Sequence, residues 1–142
     1  MIDSIESDRK IFLHIRRGDP KLPWAYVNLE TTHPVCTFDY YERALAEFSD
    51  DIPVVVFSDH IEWCKEQELF ESDRFAVSEG GNQFYDLCLM SMCSDFIIAN
   101  SSFSWWGAWL ANRGEVIAPK KWLGPNLNHD TKDLYCPEWK VL

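Results

Sequence analysis

Between Lys10 and Asp19 the chain reads K-I-F-L-H-I-R-R-G-D, which crowds a histidine, two arginines and an aspartate at the end of an apolar run. A guanidinium is always charged and presents its donors in a rigid plane. That suits the oxygens of a diphosphate better than the point charge of a lysine does. On a strand, alternate residues share a face, so His14 and Arg16 point one way and Arg17 the other, until Gly18 permits a sharp turn. One arginine is therefore expected to face a ligand cleft. The same pair also reads as surface arginines neutralised by Asp19 and its neighbours, since ion pairs are common at strand ends.

A second cluster, Ala99-Asn100-Ser101-Ser102-Phe103-Ser104, closes an apolar run and opens a segment containing Trp105, Trp106 and Trp109. Small polar residues at a helix start are N-caps, and the N–H groups of the first turn form a ready anion site. Plain capping with no ligand is the competing reading. The tryptophans are expected to pack in the core. Neither G-x-G-x-x-G nor G-x-x-x-x-G-K-[ST] occurs, so the segment is not a dinucleotide fingerprint or a Walker loop. Two acidic positions, Asp59 and Asp86, could each accept the N1–H and amine of guanine, a match adenine does not offer. A solvent-facing helical aspartate is the alternative for Asp86. His33, His60 and His129 are too scattered in sequence for a metal triad, and no G-x-S-x-G elbow is present.

These residues need elements to position them, and the hydropathy pattern supplies an alternation. Strands are predicted at Lys10 to Arg17, Pro53 to Ser58, Arg74 to Val77, Phe96 to Ala99 and Glu115 to Ala118. Helices are predicted at Asp39 to Phe48, with Thr37 or Asp39 as N-cap, and at His60 to Glu68, Gln83 to Met92 and Ser104 to Ala111. The unbroken run Val54-Val55-Val56-Phe57 implies a strand buried on both faces, hence a parallel sheet. An α/β fold follows, with helices on both faces and ligands at the carboxyl ends of the strands. Each candidate falls at such an end or at the helix start beyond it. Two irregular stretches, Gly18 to Val35 and Lys121 to Leu142, remain. The first has the length of a functional loop or lid, and the second reads as a tail packed elsewhere.

With 142 residues the chain favours one domain that builds its own core. The formal net charge of −10 repels phosphate backbones, so no nucleic-acid partner is expected and any phosphate site must be local. The apolar runs are far too short for a membrane helix, and Met1 to Lys10 is polar and acidic, unlike a signal peptide. Cys36, Cys64, Cys88, Cys93 and Cys136 show neither a C-x-x-C pair nor an even count. A reducing compartment fits, with Cys88 and Cys93 as small buried hydrophobes.

His14-Ile15-Arg16-Arg17-Gly18-Asp19, His33-Pro34-Val35-Cys36, Phe57-Ser58-Asp59 and Asn100 to Leu110 (N-S-S-F-S-W-W-G-A-W-L) follow one another in this order. In this the chain resembles the α-1,2-fucosyltransferase family, glycosyltransferase family 11. The resemblance implies a Rossmann-like parallel sheet, the C-terminal half of a GT-B-type glycosyltransferase, with residues 1–142 as the GDP-fucose-binding domain. The acceptor-side N-terminal half would be missing. It implies an inverting transfer of fucose from GDP-fucose to a galactose 2-hydroxyl on a glycan, with no cofactor and no metal. Arg16 would hold the β-phosphate as the catalytic residue, His14 and Asp86 would address the guanosine, and Asp19 would support the loop. Arg17, Asp59 and Ser101 would join the donor site, where Ser102, Phe103 and Ser104 would bind phosphate. A cytoplasmic location, peripheral to a membrane, is expected. The rival reading is a non-catalytic nucleotide-binding module that associates with a partner chain.

Overall fold

The computed structural model describes residues 8–22 and 29–142; the remainder of the predicted lid, residues 23–28, lies outside them. A six-stranded parallel sheet runs in the order β3-β2-β1-β4-β5-β6. Its strands are β1 (Ile11–Ile15), β2 (Val54–Ser58), β3 (Phe75–Val77), β4 (Asp95–Ile97), β5 (Val116–Ala118) and β6 (Lys140–Val141). The helices between them are α1 (Leu29–Thr32), α2 (Phe38–Leu45), α3 (Ile61–Lys65), α4 (Gln83–Ser91) and α5 (Ser102–Ala111), with a 3-10 turn at Glu68–Phe70. The arrangement is α/β and Rossmann-like, as the sequence implies. Order reverses beside β1: β2 and β3 extend to one side, and β4 begins the other. This is the point where such sheets open a crevice. It places the segment after β1 beside the segment after β4.

Alternation along β1 splits the core. Ile11, Leu13 and Ile15 join Tyr40, Tyr41, Ala44 and Leu45 of α2 on one face. Phe12 joins Met90, Phe96 and Ala108 on the other. Burying one such side chain contributes roughly 1.5–3 kcal/mol, so each face is held mainly by burial. Thr37 caps α2, accepting the Tyr40 N–H at 3.3 Å. α4 packs against α5 with Met90 over Gly107, where a Cβ would lie 2.7 Å from Met90 Cε, so a larger residue there would have to displace the end of the methionine side chain.

Three expectations change. The tail supplies a sixth strand, because Lys140 and Val141 pair with Ile117 and Ala118, and Leu142 N–H donates to the Ala118 carbonyl at 3.0 Å. Only Trp105 packs inward, donating to the Leu134 carbonyl at 2.7 Å; Trp106 and Trp109 are half exposed. Cys93 is buried but Cys88 is exposed, since it lies on the outer side of α4. All five cysteines are free thiols. Among the described residues no helix is long and apolar enough to cross a membrane.

Candidate functional site

The backbone beyond β1 is held by one carboxylate. Asp59, the first residue after β2, accepts Arg16 Nη1 at 2.6 Å and the Gly18 N–H at 2.8 Å on Oδ2, and the Arg17 N–H at 2.9 Å on Oδ1. Gly18 reaches this turn with φ of 102°, a conformation open to glycine. The expected counter-charge, Asp19, is not the partner of Arg16. It closes its own loop, accepting the Lys21 N–H at 2.8 Å. Register explains the difference: β1 and β2 run parallel with Ile15 opposite Ser58, so the next residue of β2 is level with the arginines.

Both arginines line the cleft, not one, because β1 ends at Ile15 and strand alternation no longer governs them. Arg16 leaves 49% of its side chain exposed beside Asp59. The Arg17 guanidinium lies 3.9 Å from the centroid of the Trp63 ring, and its buried Nε has no hydrogen-bond partner. Beneath them His14 is only 4% exposed, stacked on Phe12 and 5.8 Å from the Phe103 ring. Burial pulls its pKa down to about 4, against the opposing effect of the Asp59 carboxylate and with a smaller push from Arg16. The imidazole is therefore neutral at pH 7, with one donor and one acceptor.

Asn100 holds the opposite wall. Its buried amide donates to the Pro34 carbonyl at 2.7 Å and to the Trp122 carbonyl at 3.0 Å, tying two loops to the end of β4. Ser101 is the N-cap of α5, but its side chain makes no capping bond, which leaves the N–H groups of the first turn without that partner. Ser101, Ser102 and Phe103 line the cleft. Ser104 sits behind it, fully buried, its hydroxyl donating to the Ala99 and Ser101 carbonyls at 3.4 Å each. Its side chain is thus taken up by the backbone, contrary to expectation. Asp86, one turn into α4, has a buried Oδ1 with no partner, and burial raises its pKa.

These walls enclose a cleft of about 1100 Å³ that gathers every other candidate: His14, Arg16, Arg17, Asp19, Asp59, Asp86, Ser101, Ser102 and Phe103. Among the described residues, four side chains carry a buried nitrogen or oxygen without a hydrogen-bond partner, and all four line it: His14, Arg17, His60 and Asp86. Buried polar groups in native proteins are almost always satisfied, so a cluster of exceptions marks a place where a polar ligand completes the network. His33 and His60, scattered in sequence, also meet here, as do Val35, Trp122 and the turn Gly80-Gly81. His33-Pro34-Val35-Cys36 was legible as a motif; Trp63 and Trp122 gave no signal. Among the described residues no group of three or more His, Cys, Asp or Glu is disposed to hold a metal ion.

The family model described as glycosyl transferase family 11 matches residues 1–142. Three curated proteins are similar. An alpha-1,2-colitosyltransferase of Escherichia coli is 46% identical over 84% of this chain and 43% of its own length. The O-antigen biosynthesis glycosyltransferase WbnK of Escherichia coli is 36% identical over 80% of this chain and 39% of its own. The galactoside 2-alpha-L-fucosyltransferase Sec1 of Mus musculus is 30% identical over 89% of this chain and 36% of its own. The chain thus spans about two-fifths of the length of the curated relatives it matches. No solved structure matches it.

Proposed function

The chain belongs to glycosyl transferase family 11, and from that premise we propose that it is the nucleotide-sugar-binding part of an inverting α-1,2-fucosyltransferase. The donor is GDP-fucose and the acceptor a galactose 2-hydroxyl at the end of a glycan. The observation that carries this reading is the set of unpartnered buried groups around one cleft: a neutral imidazole and a carboxylate at purine-edge chemistry, with arginine donors beside them. A guanine offers N1–H and an amine to Asp86, and an acceptor or donor edge to His14. Arg16 and the first turn of α5 flank the place for the diphosphate.

As the glycosidic bond breaks, negative charge grows on the departing diphosphate. Donors already oriented there stabilise the transition state more than the ground state. Positive charge comes from Arg16 and partial charge from α5, so the reading calls for no metal and no cofactor. The acceptor contacts belong to a further domain or a partner chain. The reading places the protein in the cytoplasm, a setting that five free thiols support, and peripheral to a membrane. A second reading, a non-catalytic module that associates with another chain, is favoured by Phe84 and Tyr85 on α4 and Met92 at its C-terminal cap, all largely exposed.

Titration calorimetry with GDP and ADP, alongside transfer assays offering GDP-fucose or a colitosyl donor to lactose, tests these readings. GDP binding with ADP rejected is expected, together with little transfer by this chain alone. In an enzyme reconstituted with its remaining domain, Arg16→Lys keeps the charge but loses the planar grip, so kcat should fall at least tenfold. Equal binding of both nucleotides defeats the guanine assignment, and full transfer by the isolated chain defeats the half-site assignment.

A further inference from the structure

Arg17 is held at both ends. Its backbone N–H donates to Asp59 at 2.9 Å, and its guanidinium carbon lies over the Trp63 ring, 3.9 Å from the centroid. Trp63 is in turn stacked on Phe38, with ring centroids 5.6 Å apart and planes 11° from parallel. The three side chains form a ladder from the start of α2, through α3, to the cleft. Its last rung carries a buried Nε–H that no protein atom accepts. An arginine used only as a structural ion pair would have a carboxylate against that donor. Here its face is covered by an indole while a buried edge donor has no protein partner. A free arginine side chain loses rotamer entropy when it grips an anion; one already stacked has lost much of it.

We propose that Trp63 is a positioning residue, holding Arg17 by a cation–π stack so that its guanidinium serves as a second anion-binding group beside Arg16. The inference rests on the donor-site reading above and extends it to a residue outside every motif of the sequence. It gives the donor-site role expected of Arg17 a physical basis, the indole face that fixes its side chain.

The test uses the 142-residue chain with GDP as the probe. Trp63→Leu keeps apolar bulk but removes the π face, and Trp63→Phe keeps a ring. Trp63→Leu should weaken GDP binding about fivefold, Trp63→Phe by less than about twofold. In an Arg17→Gln background, Trp63→Leu should add no further loss, because the group it positions is gone. A loss of equal size in both backgrounds, or a Phe variant as weak as the Leu variant at equal melting temperature, overturns the proposal and leaves Trp63 as packing alone. The stack is also read without nucleotide: the Arg17 side-chain protons should be shifted by the indole in the parent chain and return to ordinary positions in Trp63→Leu. Unshifted protons in the parent defeat the stack itself. A parent that shows the shift yet binds no GDP defeats the donor reading, and with it any role of Arg17 in that site.

Discussion

The wall of the cleft after β1 is made of charged side chains held by one another, whereas the wall after β4 is made of backbone held by an amide. On the first, Asp59 faces Arg16 at 2.6 Å and gathers two backbone N–H groups. On the second, Asn100 ties Pro34 and Trp122 to the end of β4, and the polar groups offered are those of Ser101, Ser102 and the first turn of α5. The charged wall arrives with its own counter-ion, so an anion entering there must compete with Asp59 for Arg16. The neutral wall has no such competitor. The difference teaches that positive charge is held in check until a ligand arrives, while the backbone donors are ready from the start.

The largest expected effect is on the charged wall. Asp59→Ala removes an acceptor from three donors, two of them backbone groups near the chain's turn at Gly18. Leaving a buried donor unsatisfied costs about 1–3 kcal/mol, so the melting temperature should fall by several degrees and GDP binding should be lost. Long-range electrostatics alone would predict the reverse, since the variant deletes a negative charge beside an anion site. Tighter GDP binding by a folded Asp59→Ala chain, measured by calorimetry, would break the comparison by showing that Asp59 only opposes the ligand.

On the neutral wall, Asn100→Ala removes two amide donors in a buried setting and frees the loop at Pro34 and the segment at Trp122. A destabilisation of about 1–3 kcal/mol is expected from chemical melts, with the two carbonyls left unpaired. GDP binding should weaken less than in Asp59→Ala, because the first turn of α5 keeps its own donors. If Asn100→Ala abolishes binding at unchanged stability, Asn100 acts on the ligand and the distinction between the walls is wrong.

The unequal legibility of the chain follows from the range of the interactions. β2 is readable because four apolar residues in a row have no other use in a small α/β domain. β6 is not, since two exposed residues become a strand only by pairing with β5. The face of α2 was readable from its amphipathic spacing. That of α5 was not, because S-F-S-W-W-G-A-W-L-A is apolar all round and gives no direction to Trp106 or Trp109. The candidate cluster after β1 could be named from residue types, and Asp59 with it as an acceptor for guanine, but not the part Asp59 plays in holding the turn. Asp59 is more than forty positions from Arg16, and only the register of β1 against β2 brings them level. For Ser104 the type suggested a ligand contact, yet a serine at the start of a helix is as readily consumed by nearby carbonyls.

The smallest effect separates the walls by pH. His14 lies at the base of the charged wall, and burial lowers its pKa to about 4 from an ordinary value of 6.5. Between these values the unfolded chain binds a proton that the folded chain does not, so stability rises with pH across that window. The contribution of neutral His14 is complete above about pH 6.5 and declines as pH falls towards 4. Carboxylates titrate in the same region, so the informative quantity is the difference between the parent and His14→Phe, which retains an aromatic ring beside Phe12 and Phe103. Urea melts from pH 7.5 down to 4.5 should show the parent losing more stability on acidification than His14→Phe does, with no change in the difference above pH 7. Parallel curves would mean that His14 takes its proton in the folded state as readily as in the unfolded one. The imidazole would then be a third cation in the charged wall at acid pH, beside Arg16 and Arg17, and its pairing with a guanine edge would have to be given up.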